Sequence, residues 1–411
     1  MRHIYTSVDI GSDSVKVVVC ELCKNKLNLL GASSVKSKGI KKGAIFDANA
    51  ASKSIKQAIN EVEEMLGIEL KKVLVTVPSY FAEYKMFKEE INHDGTPVNS
   101  DLVIKLMQQV IANNTPKKSE IASVQVMDFK VDGKETKDPK ELSATVLEVR
   151  GVLACIPREN LYSVVGLLEQ IGINVVDVCL GPVSDYYTYK NKEYDAKDGV
   201  VVNIGSEITI VSLVANGITI KSSIIQLGGK SVDNDIAYIY KIDNATAVSL
   251  KEKFAFAHKA GASTSEFVKR KNIVNDEIEI NQYELSEITM ARLEEILNLV
   301  KKEISALTNN EIDYIIVTGG TSNMIGLAKL ANEVLGPKVN IENIKLLGVR
   351  NNKFATAVGT VIYFANKLKL RGQDYSMFNK NEVYDMISNA KKNNIKDSNV
   401  LDKVFNYFFS E

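Results

Sequence analysis

One layout occurs twice in this chain: an apolar strand, Ile-Gly-Ser, a polar turn, and a second apolar strand. The first copy is "TSVDIGSDSVKVVV" from Thr6 to Val19, and the second is "GVVVNIGSEITIVSLVANGIT" from Gly199, so that Ile204-Gly205-Ser206 answers Ile10-Gly11-Ser12. A repeated unit of this kind constrains the fold strongly. It implies two similar halves facing a shared cleft.

The turn itself carries chemistry. Gly-Ser-x-Ser between two strands built for burial exposes successive backbone N–H groups into a concavity, and such nests hold phosphate oxygens. Gly11 lets a ligand approach closely, Ser12 and Ser14 add hydroxyl donors, and Lys16 on the outgoing strand can reach terminal phosphates. Asp9 can hold magnesium through water, as hard cations prefer near a triphosphate. A single hairpin of this kind reads more readily as an ordinary β-turn, and recurrence is what makes it specific. Gly205-Ser206-Glu207 repeats it, and "LGGK" (Leu227 to Lys230) and "VTGGTSN" (Val317 to Asn323) add two further glycine turns at strand ends. Together they read as two opposed phosphate loops with an adenine site beside the last turn. That turn is expected to open a helix whose N-terminus favours polar or anionic contact.

The rest of the chain alternates strands and helices. "DANAASKSIKQAINEVEEMLGI" predicts a helix with Ile55, Ile59, Val62 and Leu66 on one face, closed by Gly67. "VNSDLVIKLMQQVIANN" predicts another, capped by Asn99 or Ser100. From about Met86 to Ile156 the texture becomes one helix and several strands, a small α+β module inserted into the first half. A second, largely helical interruption runs from about Asp233 to Ile304. Beyond "FATAVGTVIYFANKL" the chain turns polar and rich in asparagine and lysine, which predicts a linker and not core.

Composition excludes several classes. Lysine plus arginine and aspartate plus glutamate both total 51, so no charge imbalance argues for nucleic acid. No apolar run approaches the roughly 18 residues a membrane-spanning helix needs, and the N-terminus passes directly into a strand without a signal-peptide core, so a cytoplasmic chain is expected. "CELC" (Cys20 to Cys23) has redox spacing but falls on a predicted strand, where positions three apart point to opposite faces, which favours packing. Four cysteines form no disulfide framework, and the three histidines form no metal-ligand spacing.

These segments bring the chain to a family. The order of phosphate loop, phosphate loop and adenosine loop is similar to that of the actin, chaperone and sugar-kinase ATPase fold. Within that fold the chain most resembles the FtsA family of bacterial cell-division proteins. The likeness covers essentially the whole chain, through "TSVDIGSDSVKVVV", "SSVKSKGIKKGAIFD", "KDPKELSATVLEVRG", "VVNIGSEITIVSLVANG", "ARLEEIL", "IIVTGGTSNMIGLAKLA" and "VLDKVFNYFFSE".

The resemblance implies an α/β, actin-like duplicated ATPase fold around a nucleotide cleft. Its subdomains would be IA (1–85 and 158–198), an inserted α+β subdomain 1C (86–157), IIA (199–232 and 307–370) and IIB (233–306). A flexible linker (371–397) and an amphipathic helix (398–411) would follow. ATP and Mg2+ would be the cofactors. Gly11, Ser12, Asp13, Ser14 and Lys16 would line the first phosphate site, and Gly205, Ser206 and Glu207 the second. Gly228 and Gly229 would lie near phosphates and ribose, with Gly319, Gly320, Thr321, Ser322 and Asn323 by the adenosine.

Two departures bear on turnover. Asn203 stands where the wider superfamily has an acidic residue in the second loop, at the candidate water-positioning site. The helix "AVSLKEKF" keeps Lys251 but offers Val248 where a glutamate is expected for the ribose. An amide cannot accept a proton from attacking water, so at most slow hydrolysis is expected.

The same resemblance implies filaments, location at the division septum on the cytoplasmic face of the membrane, and binding of the FtsZ C-terminal peptide by the helical interruption. Arg292, Lys301 and Lys302 are its candidate contacts.

The tail argues from its own residues. Ser398 can cap a helix in which Val400, Leu401, Val404, Phe405, Phe408 and Phe409 share one face, with Asp402, Lys403 and Asn406 opposite, the pattern of a membrane-surface anchor. That tail counts against the nearest alternative, a PilM-like pilus-assembly adaptor. A sugar or acetate kinase lacks its substrate-deprotonating carboxylate here, and a chaperone lacks its peptide-binding domain.

Overall fold

The protein, seen in a computed structural model, is described for residues 2–379, 381–384 and 386. β1 (Arg2–Ile10) turns into β2 (Ser14–Cys23) with Ile10 opposite Val15, and β2 returns as β3 (Lys26–Lys36). The near-continuous valine run of β2 is buried because the sheet is covered on both faces. A small hairpin, β4 (Ile40–Lys41) and β5 (Ala44–Ile45), precedes α1 (Ala48–Leu66). Asp47 caps α1 by accepting from the Ala50 N–H, and Gly67 ends it at φ 65°, the left-handed conformation that glycine adopts without steric cost.

After β6 (Lys72–Val77), parallel to β1, the chain leaves the sheet. β7 (Glu83–Asn92), α2 (Ser100–Asn114) capped by Asn99, β8 (Ser119–Val131), β9 (Lys134–Thr136) and β10 (Val146–Pro157) form a separate layer. Its strand order is β7-β10-β8-β9, over its own core of Phe87, Leu106, Phe129 and Leu147. Sequence texture placed its start at Met86, but the strand begins at Glu83. α3 (Arg158–Gln170) and β11 (Asn174–Leu180) then complete the first sheet, in the order β11-β6-β1-β2-β3.

α4 (Gly181–Tyr189) and the short α5 (Lys192–Asp195) lead into the second half. There β12 (Gly199–Ile204), β13 (Thr209–Ala215) and β14 (Ile218–Ile225) repeat the antiparallel triplet. The interruption comprises α6 (Gly229–Tyr240), α7 (Asn244–Lys253), an antiparallel pair β15 (Phe267–Lys271) and β16 (Glu277–Asn281), and α8 (Gln282–Leu307). It is therefore not wholly helical. Lys269 pairs with both Glu277 and Glu279 across that hairpin, so it is held by charge as well as by its ladder. β17 (Tyr314–Thr318) runs parallel to β12, and after α9 (Leu327–Leu335) β18 (Val339–Asn340) runs parallel to β17. The order β14-β13-β12-β17-β18 reproduces the first sheet strand for strand, and the duplication expected from two Ile-Gly-Ser turns is present in the topology.

α10 (Ala355–Leu370) closes the chain's core by packing along α4. A Cβ at Gly359 would lie 1.7 Å from the Ser184 carbonyl oxygen, so the two helices meet backbone to backbone. The stretch read as the start of a linker is partly core. Met377, Phe378 and Met386 are buried, the Met377 N–H donates to the Ile4 carbonyl at 3.0 Å, and the Ile4 N–H donates to Ser376 Oγ at 3.1 Å. Polar composition hid three large apolar side chains, and the segment that carries them is bonded to the start of β1, the middle strand of the first sheet. The amphipathic helix expected over 398–411, with Val400, Leu401, Val404, Phe405, Phe408 and Phe409, lies outside the described residues.

Candidate functional site

The two Ile-Gly-Ser turns face each other across a cleft of about 1110 Å³, at the upper end of the range for small-molecule sites. In the first turn the Gly11 N–H donates to the Ser14 carbonyl at 3.2 Å. A Cβ at Gly11 would sit 2.7 Å from Lys16 Nζ, so glycine is what lets the backbone and the lysine share this corner. Lys16 is nearly buried and pairs with Asp9 at 3.0 Å, while the other Asp9 oxygen accepts from Thr76 Oγ1 at 3.1 Å. Asp9 is thus already engaged on both oxygens, a geometry that suits a metal held through water better than direct ligation. Asp13 turns outward to an ion pair with Lys36, and Ser12 Oγ accepts from the Gly43 N–H at 2.7 Å.

In the second turn the Gly205 N–H donates to the Ile208 carbonyl at 3.0 Å, matching Gly11 and Ser14. Glu207 reaches across the cleft mouth, accepting from the Lys42 N–H at 2.5 Å and from Lys230 Nζ at 2.6 Å. Burial works to raise the Glu207 carboxyl, but the Lys230 and Lys42 bonds outweigh it and hold the group below its ordinary value. The tip of the β4–β5 hairpin thereby rests on both turns, through Ser12 and Glu207.

Of the two glycines of "LGGK", Gly229 lines the cleft and Gly228 serves backbone packing. A Cβ at Gly228 would lie 2.6 Å from the Gly205 and Ser206 carbonyl oxygens, and these two oxygens accept from the Gly229 and Lys230 N–H groups at 2.9 and 2.7 Å. Gly228 consequently supports the second turn from behind and does not line the cleft. Lys251 of α7 donates to Asp233 and to the Gly229 carbonyl at 3.2 Å, tying α7 to the start of α6.

Gly319 has φ 91°, and a Cβ there would meet Asn203 Oδ1 at 2.3 Å. Gly320, Thr321 and Asn323 line the cleft, while Ser322 is buried and donates to the Gly319 carbonyl at 2.8 Å, bracing the turn. Residues Gly320–Asn323 form one 3-10 turn, and α9 starts only after Gly326, which packs on His258. The expected helix N-terminus at the adenosine turn is therefore absent. The glycine pair marks a sharp reversal out of β17 and not a helix cap.

Sequence reasoning missed Asp185. It lies on α4, almost fully buried yet part of the cleft floor, accepting from Thr356 Oγ1 at 2.6 Å and from Asn203 Nδ2 at 2.8 Å. Burial lifts its carboxyl from the ordinary 3.8 to about 7 against those two bonds, with nearby Asp9 raising it further and Lys16 opposing. Asn203, expected as a neutral stand-in for an acid, is in fact the donor to this buried acid.

Two of the three candidate FtsZ contacts have partners within the protein. The Arg292 guanidinium is forked onto Asp235 at 2.6 and 2.9 Å and also meets Glu295. Lys301, two and a half turns further along α8, donates to the Val334 carbonyl of α9 at 3.3 Å. Lys302 is exposed. Arg292 and Lys301 are thus engaged with neighbouring helices, which periodicity alone does not reveal.

Residues 200–359 match the family model described as cell division protein FtsA, and residues 7–263 match that of the type IV pilus assembly protein PilM. Cell division protein FtsA of Bacillus subtilis (strain 168) is 28% identical over 377 residues, 90% of this chain and 86% of the relative. That of Streptococcus pneumoniae serotype 2 is 30% identical over 373 residues, 89% and 80% respectively. Among solved structures, a chain of a PilM-PilN type IV pilus biogenesis complex aligns at TM-score 0.59 and 14% identity over 87% of this chain and 97% of its own. MreB5 of Spiroplasma citri bound to ADP aligns at 0.56 and 14%, over 89% and 98%. At that identity the structures speak for the fold alone, which is actin-like. With a duplicated sheet, opposed glycine turns and a relative 30% identical along most of its length, the chain belongs to the FtsA family of cell-division proteins.

Proposed function

We propose that this protein binds ATP with Mg2+ in the cleft, polymerises on the cytoplasmic face of the membrane, and anchors FtsZ filaments there at the division septum. The observation that carries nucleotide binding is the pair of hairpin turns, Gly11 to Ser14 and Gly205 to Glu207, aimed into one cleft of nucleotide size. The turn backbone and hydroxyls with Lys16 would hold the phosphates, and Asp9 would hold magnesium through water. Thr321 and Asn323 would flank the adenosine. The metal would neutralise triphosphate charge. Hydrolysis is slow at most, because Asn203 at the second turn is an amide, engaged as a donor to Asp185, and cannot take a proton from attacking water.

Among the described residues no helix is long and apolar enough to cross a membrane, so attachment falls to the tail sequence. The FtsZ peptide would be received by the subdomain of α6 to α8. The match of the PilM model to residues 7–263 favours a second reading, a pilus-assembly adaptor. Pull-down with an FtsZ C-terminal peptide and with PilN decides between them: FtsZ capture is expected, and PilN capture alone overturns the division reading.

A further inference from the structure

The cleft floor carries a titratable group that neither phosphate turn explains. Asp185 sits where α4, α10 and β12 converge, the place at which the two halves of the molecule join. Its two oxygens take one donor each, Thr356 Oγ1 from α10 and Asn203 Nδ2 from β12. No cation pairs with it directly among the described residues. The charges that act on it are Asp9 and Lys16 of the first hairpin, and these are already paired with each other.

Among the elements packed on α4, Cys179 of β11 meets Ser184, where burial pushes its thiol up to about 12 and keeps it neutral, and the other ionisable groups turn elsewhere. β12 and β13 carry none, Lys72 of β6 is exposed, and Asp177 of β11 is paired with Lys367 of α10 at 2.6 Å. Lys221 of β14 donates to the Leu307 carbonyl, and Tyr363 of α10 donates to the Val124 carbonyl. On α4 itself, Tyr189 donates to Asn352 Oδ1 and shares a hydroxyl bond with Thr318.

We infer that Asp185 is a proton-binding member of the nucleotide site, so that a nucleotide entering the cleft drives a proton onto this carboxylate. This rests on the nucleotide reading above. The physical reason is that a triphosphate adds negative charge to a closed pocket in which Asp185 has no cation of its own, and like charges that cannot both be solvated share their cost by taking up a proton. Its partners permit both states. When the carboxylate is ionised, Thr356 and Asn203 both donate to it. When it is protonated, the Thr356 hydroxyl rotates to accept while the Asn203 amide still donates to the remaining oxygen. Burial has already brought the group to the edge of ionisation near neutral pH.

Affinity for the nucleotide should accordingly fall as pH rises from about 7, since binding then requires a proton that the free protein no longer holds. Asp185 acts here as a positioning and charge-regulating residue, not as a catalytic one.

The test is titration calorimetry of the full chain with Mg-ATP at pH 6, 7.5 and 9, in HEPES and in Tris, whose ionisation enthalpies differ. The wild-type protein is expected to take up about half a proton or more near pH 7.5, and Asp185→Asn is expected to abolish that uptake. Titration of the nucleotide's own phosphate cancels in the difference between the two proteins. Thr356→Val, which removes a donor to the ionised form and changes little volume, is expected to move the uptake to higher pH and keeps the inference testable if Asp185→Asn folds poorly. Equal uptake by wild type and Asp185→Asn, or an unmoved profile in Thr356→Val, overturns the inference while leaving nucleotide binding standing. A wild-type protein that binds no Mg-ATP at any pH overturns both.

Discussion

Two adjacent glycines in the last turn have unequal roles. At Gly319 the backbone is left-handed at φ 91° and a Cβ would press on Asn203 Oδ1 and, at 2.6 Å, on the Ile204 carbonyl oxygen. At Gly320 the nearest atom to a Cβ is Lys353 Cβ at 3.8 Å, an ordinary contact. Gly319→Ala should therefore cost at least about 2 kcal/mol from conformation and overlap together and weaken ATP binding. Gly320→Ala should leave melting temperature and binding close to wild type, and thermal melts with calorimetry on both variants check the contrast.

Asn203 gives a second prediction. Asn203→Asp restores the acid of the wider superfamily, but the new carboxylate lies in contact with Asp185, which the Asn203 amide meets at 2.8 Å. The two must share one proton, so the folded-state value of the pair lies above that of an unfolded carboxyl. A raised folded value contributes stability that is fully present below the unfolded value of about 4 and is lost as pH rises through the raised folded value. The variant should match wild type near pH 5.5 and melt several degrees lower at pH 8.5. Equal losses at both values would mean that the acids do not interact. "VVNIG" made position 203 legible, but its partner Asp185 sits in "GPVSDYYTY", which carries no motif and gave no signal.

That invisibility belongs to the elements. α4 buries Pro182, Val183, Ser184, Asp185, Tyr186 and Tyr189, so it has no polar face for periodicity to reveal, and its length is under three turns. The strands and α1 were readable because apolar runs, the spacing of Ile55, Ile59, Val62 and Leu66, and the closing Gly67 are local features. The α4–α10 contact was not, because it depends on a pairing remote in sequence. Gly359 shows how tight that pairing is: any side chain there must displace Ser184. Gly359→Val should destabilise the fold by about 3 kcal/mol or more, at the upper end of overpacking costs, as measured by urea unfolding. Because α4 also carries Asp185, the variant should lower Mg-ATP affinity even where the protein remains folded. Wild-type stability in this variant would mean that the two helices separate freely.

At the scale of the whole molecule, the proposed attachment depends on residues 398–411, for which the argument is one of sequence. Six apolar side chains on one face give about 9 to 18 kcal/mol gross on burial. Ordering about a dozen residues costs a comparable amount at roughly 1 to 2 kcal/mol each, so a single tail binds a bilayer marginally. Filaments would change this, since each added subunit brings another tail to the same surface and raises avidity steeply. Basic residues such as Lys391, Lys392 and Lys396 add attraction to anionic lipid that salt weakens. Membrane recruitment and polymerisation should therefore be coupled. A chain truncated after Lys396 retains the segment through Met386 that packs on the core, so it separates loss of the tail from loss of the fold. Co-sedimentation with anionic liposomes in Mg-ATP should pellet the full chain, and neither the truncated chain nor Phe405→Glu with Phe408→Glu. Pelleting by the full chain should rise more steeply than linearly with protein concentration, and a simple hyperbola would show tails acting one at a time.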